Sequence, residues 1–329
     1  MEFLLIIIGF VLLIKASDFF VEAAINIAKM FKVSEVVIGA TIVSIGTTLP
    51  ETMVSATSAF KGHGDISYGN ALGSIICNTA LIAATSLIFA PGKVNRKALK
   101  IPVTFFFSAF AVYSIFAYGF NCFTRLSGII LVSIFVLYVF CMIKLHVPES
   151  EFIDAKEIIE ESIIEEKSHS NEFTIIKSII VLIITSAIIA FASNLLVDNG
   201  TIIARKLGVP EAVIGLTLIA FGTSLPEFST AITSILKGHH ALSIGNIIGA
   251  NFFNEVLVTG IAAAVKPFNI PTERTLNGIN ASLIVDIPLS LIVMLILCVP
   301  TIIRGRTRRW QGILLYAIYA AFLIYQFKL

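Results

Sequence analysis

Two stretches of sequence decide the fold: VVIGATIVSIGTTLPE at residues 36–51 and AVIGLTLIAFGTSLPE at residues 212–227. They are the centre of an internal repeat that pairs residues 16–78 with residues 192–254 without a gap, roughly two in five residues being identical. The same repeat pairs KGHGDISYGNALGSIICN at 61–78 with KGHHALSIGNIIGANFFN at 237–254. Gene duplication is the plain explanation, and it predicts two halves with one shared fold.

The composition places this repeat in a lipid bilayer. Of 329 residues, 57% are hydrophobic and only 13% are charged, and the mean hydropathy of +0.95 lies outside the range of soluble domains. Net charge is +2, and no basic stripe with interleaved aromatic residues indicates a nucleic-acid partner. The four cysteines lack the spacing of a metal site or a redox site.

Apolar runs long enough to cross a membrane recur along the chain. They predict ten helices, roughly at 2–28, 36–60, 66–91, 99–119, 125–146, 173–204, 211–236, 242–265, 281–303 and 310–327. Closed barrels need alternating polar and apolar residues, which these runs lack. The prediction is an all-α integral membrane protein of two five-helix repeats, residues 1–146 and 173–329, joined by an acidic linker at 147–172.

The number of helices and the position of basic residues predict the topology. With five spans in each half, the second repeat enters the membrane inverted relative to the first. The richest short basic loops carry Lys93, Arg96, Lys97 and Lys100, and Arg304, Arg306, Arg308 and Arg309. Basic loops stay in the cytoplasm, so we expect both termini of this plasma-membrane protein to be extracellular and the linker to be cytoplasmic.

Glu51 and Glu227 lie within apolar helices at matched positions of the repeat. An ionised carboxylate there is costly unless it meets a cation, a polar partner or water. Thr47 and Thr223, four residues earlier, project from the same helix faces. The matched acids with matched hydroxyls indicate a binding site at the middle of the membrane.

The prolines before the two acids, Pro50 and Pro226, predict a break in each helix. Proline has no N–H, which frees main-chain carbonyls such as those of Gly46 and Gly222. Carbonyls, hydroxyls and carboxylates are the oxygen ligands that hard cations such as Ca²⁺ prefer. The −2 charge of the two acids balances one Ca²⁺ and could instead hold monovalent ions.

The helix that follows each break adds further polar residues. The first repeat carries Ser74 and Asn78, and the second carries Ala250 and Asn254 at the matched positions. GxxxG spacings at residues 69–73 and 245–249 predict close packing of these helices against the broken ones. Glu255 is a further intramembrane acid, turned about 100° around the helix from Asn254, so it need not share the site.

The paired segments G-T-[ST]-L-P-E and G-N-x-[IL]-G-[SA]-x-x-x-N resemble the alpha-repeats of the cation/calcium antiporter superfamily, particularly its prokaryotic sodium/calcium exchangers. The resemblance implies a ten-helix inverted-repeat fold that holds cations among helices 2, 3, 7 and 8, while helices 1 and 6 slide. It implies calcium ligands at Glu51, Glu227, Thr47 and Thr223. It implies that adjoining subsites are lined by Thr48, Ser224, Ser74 and Asn78, and by the main-chain carbonyls of Ser44 and Ala220.

Two positions depart from the family pattern. Ala250 stands where a serine is common in sodium/calcium exchangers, which removes a hydroxyl from a sodium subsite and leaves the counter-ion open. Asn254 stands where potassium-dependent relatives and some archaeal exchangers carry aspartate, which argues against a potassium requirement. We expect Asn254 to belong to the cation site.

The resulting expectation is an antiporter, not an enzyme, that exchanges Ca²⁺ for Na⁺ by alternating access at a mid-membrane site. No cofactor is expected. The sequence contains no nucleotide-binding P-loop of the kind that would indicate a primary pump. The partners are Ca²⁺, Na⁺ and the lipid bilayer, and we expect a functional monomer. A proton/calcium exchanger on the same fold, a cation channel and a non-transporting calcium sensor remain the alternatives.

Overall fold

The computed structural model describes residues 2–144, 172–207, 220–272, 275–276 and 279–326. Its helices are α1 (Glu2–Phe31), α2 (Glu35–Lys61), α3 (Gly64–Phe89), α4 (Arg96–Phe120), α5 (Arg125–Lys144), α6 (Glu172–Lys206), α7 (Ala220–Thr223), α8 (Leu225–Leu236), α9 (His240–Val265), α10 (Ser282–Arg304) and α11 (Arg309–Gln326). The predicted linker, apart from its last residue, and residues 211–219 of the predicted seventh helix lie outside the described residues.

Eight helices of the described chain are long and apolar enough to cross a membrane: α1 to α6, α9 and α10. The remaining predicted spans correspond to α8, of 12 residues, and α11, of 18 residues. Four short strands complete the description, and β1 (Cys122–Phe123) pairs antiparallel with β2 (Phe268–Asn269), as β3 (Thr275–Leu276) does with β4 (Ile279–Asn280). The prediction of an all-α protein that crosses the membrane several times is confirmed.

Helix ends follow from local sequence. α2 ends at Gly62, which has a left-handed backbone (φ 94°), and the matched Gly238 after α8 has φ 83°. Glycine adopts this conformation without steric cost, which is why it so often ends helices. At the start of α4, the Asn95 side chain accepts a hydrogen bond of 3.0 Å from the Ala98 N–H.

Within the described ranges, four helices contain π-helical turns that the sequence did not predict. They cover Gly39–Val43 in α2, Asn78–Ala83 in α3, Asn254–Val258 in α9 and Ser282–Asp286 in α10. Those in α3 and α9 begin at matched asparagines of the two repeats. π-helical turns leave main-chain carbonyls without their usual donors and are common at functional sites. In α2, the Tyr138 hydroxyl donates a 2.6 Å hydrogen bond to one such carbonyl, that of Ala40.

The predicted break at the two prolines is confirmed in the second repeat and wrong in the first. α7 and α8 are separated by Ser224, a turn residue (φ −91°, ψ 6°), just before Pro226. α2, however, runs as an unbroken α-helix from Ser44 to Lys61 with Pro50 inside it. Pro50 loses the bond to the Gly46 carbonyl and its ring crowds that carbonyl, at a cost of about 3 kcal/mol. The packing of α2 against α3 and α9 offsets this cost and keeps the helix continuous.

The packing of the helices repeats between the two halves. α1 packs along α6, and α2 and α8 both pack on α9. α5 packs on the second part of α9, and its counterpart α11 packs on the second part of α3. The predicted close approach at residues 245–249 is confirmed, because a methyl group placed on Gly245 would lie 2.5 Å from the Val36 carbonyl oxygen. The residue that would meet Gly69 in the same way is Ala212, which matches Val36. It lies outside the described residues, so close packing at 69–73 stays a prediction.

Two loop contacts also repeat. The Val94 N–H donates to the Gly305 carbonyl at 3.0 Å, and the Ile270 N–H donates to the Asn121 carbonyl at 3.0 Å. Val94 and Ile270 occupy matched positions of the repeat, and Asn121 and Gly305 end α4 and α10 in the same left-handed conformation. The loop after the third span of each half is thus hydrogen-bonded to the loop after the fourth span of the other half.

Candidate cation-binding site

α2, α3, α8 and α9 meet around the two predicted glutamates. Glu51 on α2 and Glu227 on α8 are both completely buried. The Thr48 hydroxyl, on α2, donates a 3.3 Å hydrogen bond to Glu227 Oε1. The acids of the two repeats therefore belong to one site, with Thr48 as a direct link between the halves.

The charge of this site has no counterpart in the described protein. Neither Glu51 oxygen nor Glu227 Oε2 has a hydrogen-bond partner among the described residues. No lysine, arginine or histidine of the described chain forms an ion pair with either acid. The ion pairs that are present lie elsewhere, for example between Lys206 and Glu2 at 2.8 Å. Unpaired carboxylates are very costly inside a membrane. The site therefore requires a cation or protons.

Most of the other predicted site residues are buried as well. Those that are buried are Ser44, Thr47, Thr48, Ser74, Asn78, Ser224 and Asn254. Thr223, the last residue of α7, is half-buried, and Ala220 is the first residue of that helix. Thr48 and Glu227, which come from different repeats, are in direct contact, and the ligand roles of the set stay a prediction.

Several of these polar groups also lack partners within the described part of the chain. They are the hydroxyls of Ser74 and Ser224 and both amide atoms of Asn78 and Asn254. Buried polar groups in native proteins are almost always hydrogen-bonded, so an isolated group of this kind needs an explanation. Here the groups lie on α3 and α9 and next to α8, helices that meet around the two carboxylates, and together they offer the oxygen ligands that a hard cation prefers.

Asn246 is a site residue that the sequence reasoning missed. It is fully buried on α9, and its Oδ1 accepts 3.3 Å hydrogen bonds from the hydroxyls of Thr47 and Ser44. The Ser44 hydroxyl also lies 2.9 Å from the Asn246 carbonyl oxygen. Asn246 therefore holds two hydroxyls of the first repeat from the second repeat.

Asn70 occupies the matched position in the first repeat. Its Nδ2 donates to the Glu51 carbonyl at 3.3 Å and to the Ser55 hydroxyl at 2.9 Å. The signal that could have found both residues is the Gly-Asn pair repeated at 69–70 and 245–246.

Glu255 is a second buried acid outside this group. Its side chain is 1% exposed, and neither oxygen has a hydrogen-bond partner in the part of the chain that the structure describes. The buried Tyr113 hydroxyl lies within electrostatic range of Glu255, Tyr68 and Asp286. Asp286 accepts a 3.1 Å hydrogen bond from Ser282 within the π-helical turn of α10. No hydrogen bond among the described residues joins Glu255 to Glu51 or Glu227.

Comparison with known proteins identifies the family. The profile described as "Sodium/calcium exchanger protein" matches residues 1–144 and 177–328. The chain belongs to the sodium/calcium exchanger family. The resemblance of the paired motifs to prokaryotic members of that family is therefore confirmed.

Relatives of similar length match nearly the whole chain of this exchanger. Sodium/calcium exchanger MaX1 of Methanosarcina acetivorans is 30% identical over 99% of this chain and 98% of its own. The putative antiporter CaxA of Alkalimonas amylolytica is 32% identical over 98% and 97%. A solved structure of the sodium-calcium exchanger NCX_Mj, soaked with Na⁺ and Sr²⁺, has a TM-score of 0.79 and 28% identity, covering 98% of this chain and 97% of its own.

These comparisons establish the class of this exchanger. It is a multi-pass membrane protein that exchanges Ca²⁺ and another cation, and its family is one of transporters and not of enzymes.

Proposed function

We propose that this exchanger is a secondary active antiporter that moves Ca²⁺ in one direction and Na⁺ in the other through one mid-membrane site. The observation that carries the proposal is the pair Glu51 and Glu227, completely buried and without a cationic partner among the described residues. The hydrogen bond from Thr48 to Glu227 keeps the acids in one site. Two carboxylates supply −2, which neutralises one Ca²⁺.

Ligand roles follow from the oxygens that each residue offers. We assign Ca²⁺ to the carboxylates of Glu51 and Glu227 and the hydroxyls of Thr47 and Thr223. We assign Na⁺ to adjoining subsites lined by Thr48, Ser224, Ser74, Asn78 and Asn254 and by the carbonyls of Ser44 and Ala220. Support comes from the unpartnered atoms of Ser74, Asn78, Ser224 and Asn254 within the described chain. The two ions compete for the same carboxylates, and that competition couples their movements.

The architecture that we infer is ten helices in two inverted repeats, residues 1–146 and 173–329. Support comes from the matched loop bonds at Val94 and Ile270 and from the equivalent packing of α5 and α11. α1 and α6 pack along each other and would slide past the site. Gly46 suits this motion, because a methyl group there would lie 2.7 Å from Ser186 Oγ on α6.

The orientation in the plasma membrane follows from charge. The loops that carry Lys93 and Arg306 are bridged to each other, so the two richest basic loops share one face. We assign that face and the 147–172 linker to the cytoplasm and both termini to the outside.

A flux assay with two driving forces tests the proposal. Liposomes loaded with Na⁺ are diluted into Na⁺-free medium with trace radioactive Ca²⁺, and the assay is repeated with a proton gradient alone. We expect uptake only with internal Na⁺, and its loss in Glu51→Gln and in Glu227→Gln. Asp65→Asn, which neutralises an exposed acid at the start of α3, serves as the control. Uptake that persists in both glutamine variants would refute the site.

A proton-coupled exchanger is the second candidate. The observation that favours it is Glu255, an acid buried in the membrane without a hydrogen-bond partner among the described residues. Ala250, which offers no hydroxyl to a sodium subsite, points the same way. Uptake driven by the proton gradient in Na⁺-free liposomes, and lost in Glu255→Gln, would establish this alternative.

A further inference from the structure

A cavity of about 800 Å³ lies on the basic face, away from the two glutamates. Four distant segments form it: the start of α2, the loop between α3 and α4, the start of α9, and the end of α10 with the loop that follows it. Its charged lining residues are Glu35, Lys93, Arg96, Arg304, Arg306 and Arg308. Five of these six are cations, so the cavity is strongly positive.

The positive charge is not neutralised by the surrounding protein. None of the five cations forms an ion pair with another residue in the described ranges. The one acid of the lining, Glu35, is occupied by its short contact with the His239 ring. Desolvation and the like charges of Arg304 and Arg306 lower the pKa of the Arg308 guanidinium. The cavity therefore attracts an anion.

Buried polar atoms at the cavity also lack partners. The Ser34 side chain is 6% exposed, and its hydroxyl has no hydrogen-bond partner among the described residues. Arg308 Nε is buried and likewise unpartnered in that part of the chain. A hydroxyl beside several guanidinium groups is the donor set that binds phosphate oxygens, and arginine can bind them in a bidentate manner.

The wall of the cavity shows which source of phosphate fits. Ile303, in the last turn of α10, lines the cavity and is 66% exposed. Trp310, at the start of α11, is 44% exposed. Tryptophan and exposed aliphatic side chains at helix ends are typical of the boundary between headgroups and hydrocarbon. The cavity is thus bordered by apolar surface on which an acyl chain can lie.

We propose that this cavity binds the phosphate-bearing headgroup of an anionic phospholipid from the leaflet that it faces. The arginines and Lys93 would contact the phosphate, and Ile303 would contact the attached chains. Basic pockets between the ends of transmembrane helices bind anionic headgroups in this way. A free phosphate ion satisfies the cations but not the apolar border, which is why we assign the site to lipid.

Trp310 makes the test direct, because it is the only tryptophan of the chain and lies two residues from Arg308. The protein is reconstituted in vesicles containing phosphatidylcholine and a small fraction of brominated phosphatidylglycerol or brominated phosphatidylcholine. Bromine quenches tryptophan at short range, so excess quenching by the anionic lipid reports its local enrichment. We expect this excess in the unmodified protein.

Variants separate the cavity from general attraction to charge. We expect Arg304→Gln and Arg306→Gln each to weaken the preference for the anionic lipid about fivefold. Lys93→Gln, in a different loop, should act in the same direction and guards against misfolding of one variant. Lys100→Gln removes an exposed cation of α4 that does not line the cavity, and it should leave the preference unchanged.

Three outcomes would overturn the proposal. One is equal quenching by the two brominated lipids in the unmodified protein. Another is an excess that Arg304→Gln and Lys93→Gln both leave intact, or that Lys100→Gln reduces equally. The third is complete loss of the excess in millimolar inorganic phosphate, at constant ionic strength, which would assign the cavity to a soluble phosphate. Calcium flux is not part of the readout, so a failure here does not bear on the exchange mechanism.

Discussion

The Thr47 hydroxyl donates a 3.3 Å hydrogen bond to Asn246 Oδ1, which joins the acidic motif of the first repeat to α9 of the second. The Ser44 hydroxyl contacts the same oxygen at 3.3 Å. The hydroxyl of Thr47, a proposed Ca²⁺ ligand, and that of Ser44, whose carbonyl is proposed to line a sodium subsite, thus contact one amide that we do not count among the ligands. The site depends on Asn246 as a positioning residue.

Asn246→Ala should weaken Ca²⁺ binding without removing a ligand. The loss removes the Oδ1 acceptor and leaves Thr47 only its long 3.4 Å bond to the Ser44 carbonyl, whereas the Ser44 hydroxyl keeps the Gly39 carbonyl at 2.7 Å. Losing one such hydrogen bond costs about 0.5–1.5 kcal/mol. A loss of ~1.4 kcal/mol corresponds to a tenfold higher half-saturating Ca²⁺ concentration in the flux assay. Asn280→Ala removes an amide that bonds the Pro271 carbonyl in a loop, and it should not change Ca²⁺ affinity. An unchanged half-saturating concentration in Asn246→Ala would exclude the positioning role.

Gly245→Ala should destabilise the protein through the α2–α9 contact. The added methyl group would meet the Val36 carbonyl oxygen at 2.5 Å, and a backbone atom cannot move aside cheaply. Overpacking of this kind costs about 1–3 kcal/mol. Thermal unfolding in detergent measures the loss. Gly119→Ala, at an exposed position of α4, is the matched control and should leave stability unchanged or slightly raised.

Ala250→Ser should strengthen Na⁺ binding. Ala250 is completely buried on α9, at the position that matches Ser74 of the first repeat. A serine there adds one oxygen ligand to a proposed sodium subsite, so we expect the half-saturating Na⁺ concentration to fall several-fold. Ala262→Ser introduces the same hydroxyl at another buried position of α9 and should have no such effect. If both variants behave alike, position 250 does not line a sodium subsite.

Glu255→Gln should distinguish the two candidate counter-ions. Under Na⁺/Ca²⁺ exchange, this residue lies outside the site, and Na⁺-driven Ca²⁺ uptake should stay within about threefold of the unmodified rate, since a neutral amide fits the same space. Under proton-coupled exchange, uptake driven by a pH gradient should be abolished. Measuring both driving forces on the same preparation controls for protein that fails to insert.

The sequence predicted the helices and the pair of acids because both depend on local signals. Hydropathy locates spans whatever their partners, and the duplicated motif marks Glu51 and Glu227 by position alone. The matched hydroxyls at Thr47 and Thr223 were predicted for the same reason. Each of these inferences needed only the chain itself and its repeat.

Features that depend on packing were not predictable. The helix is unbroken at Pro50 because α2 packs against α3 and α9, whereas the equivalent Pro226 follows a turn at Ser224. The π-helical turns at Asn78 and Asn254 have no known sequence signal, and the role of Asn246 depends on how closely α9 approaches α2. The basic cavity is formed by four segments that are far apart in the chain, so no single stretch of sequence reveals it.

The matched loop bonds, from Val94 to Gly305 and from Ile270 to Asn121, bear on how such a chain could arise. In a pair of identical five-helix proteins related by a two-fold axis, one such bond between subunits would occur twice by symmetry. Fusion of the two genes would keep both copies inside a single polypeptide. The covalent connection would then be dispensable for assembly, and residues 1–146 and 173–329 produced as separate chains should recombine into a working exchanger.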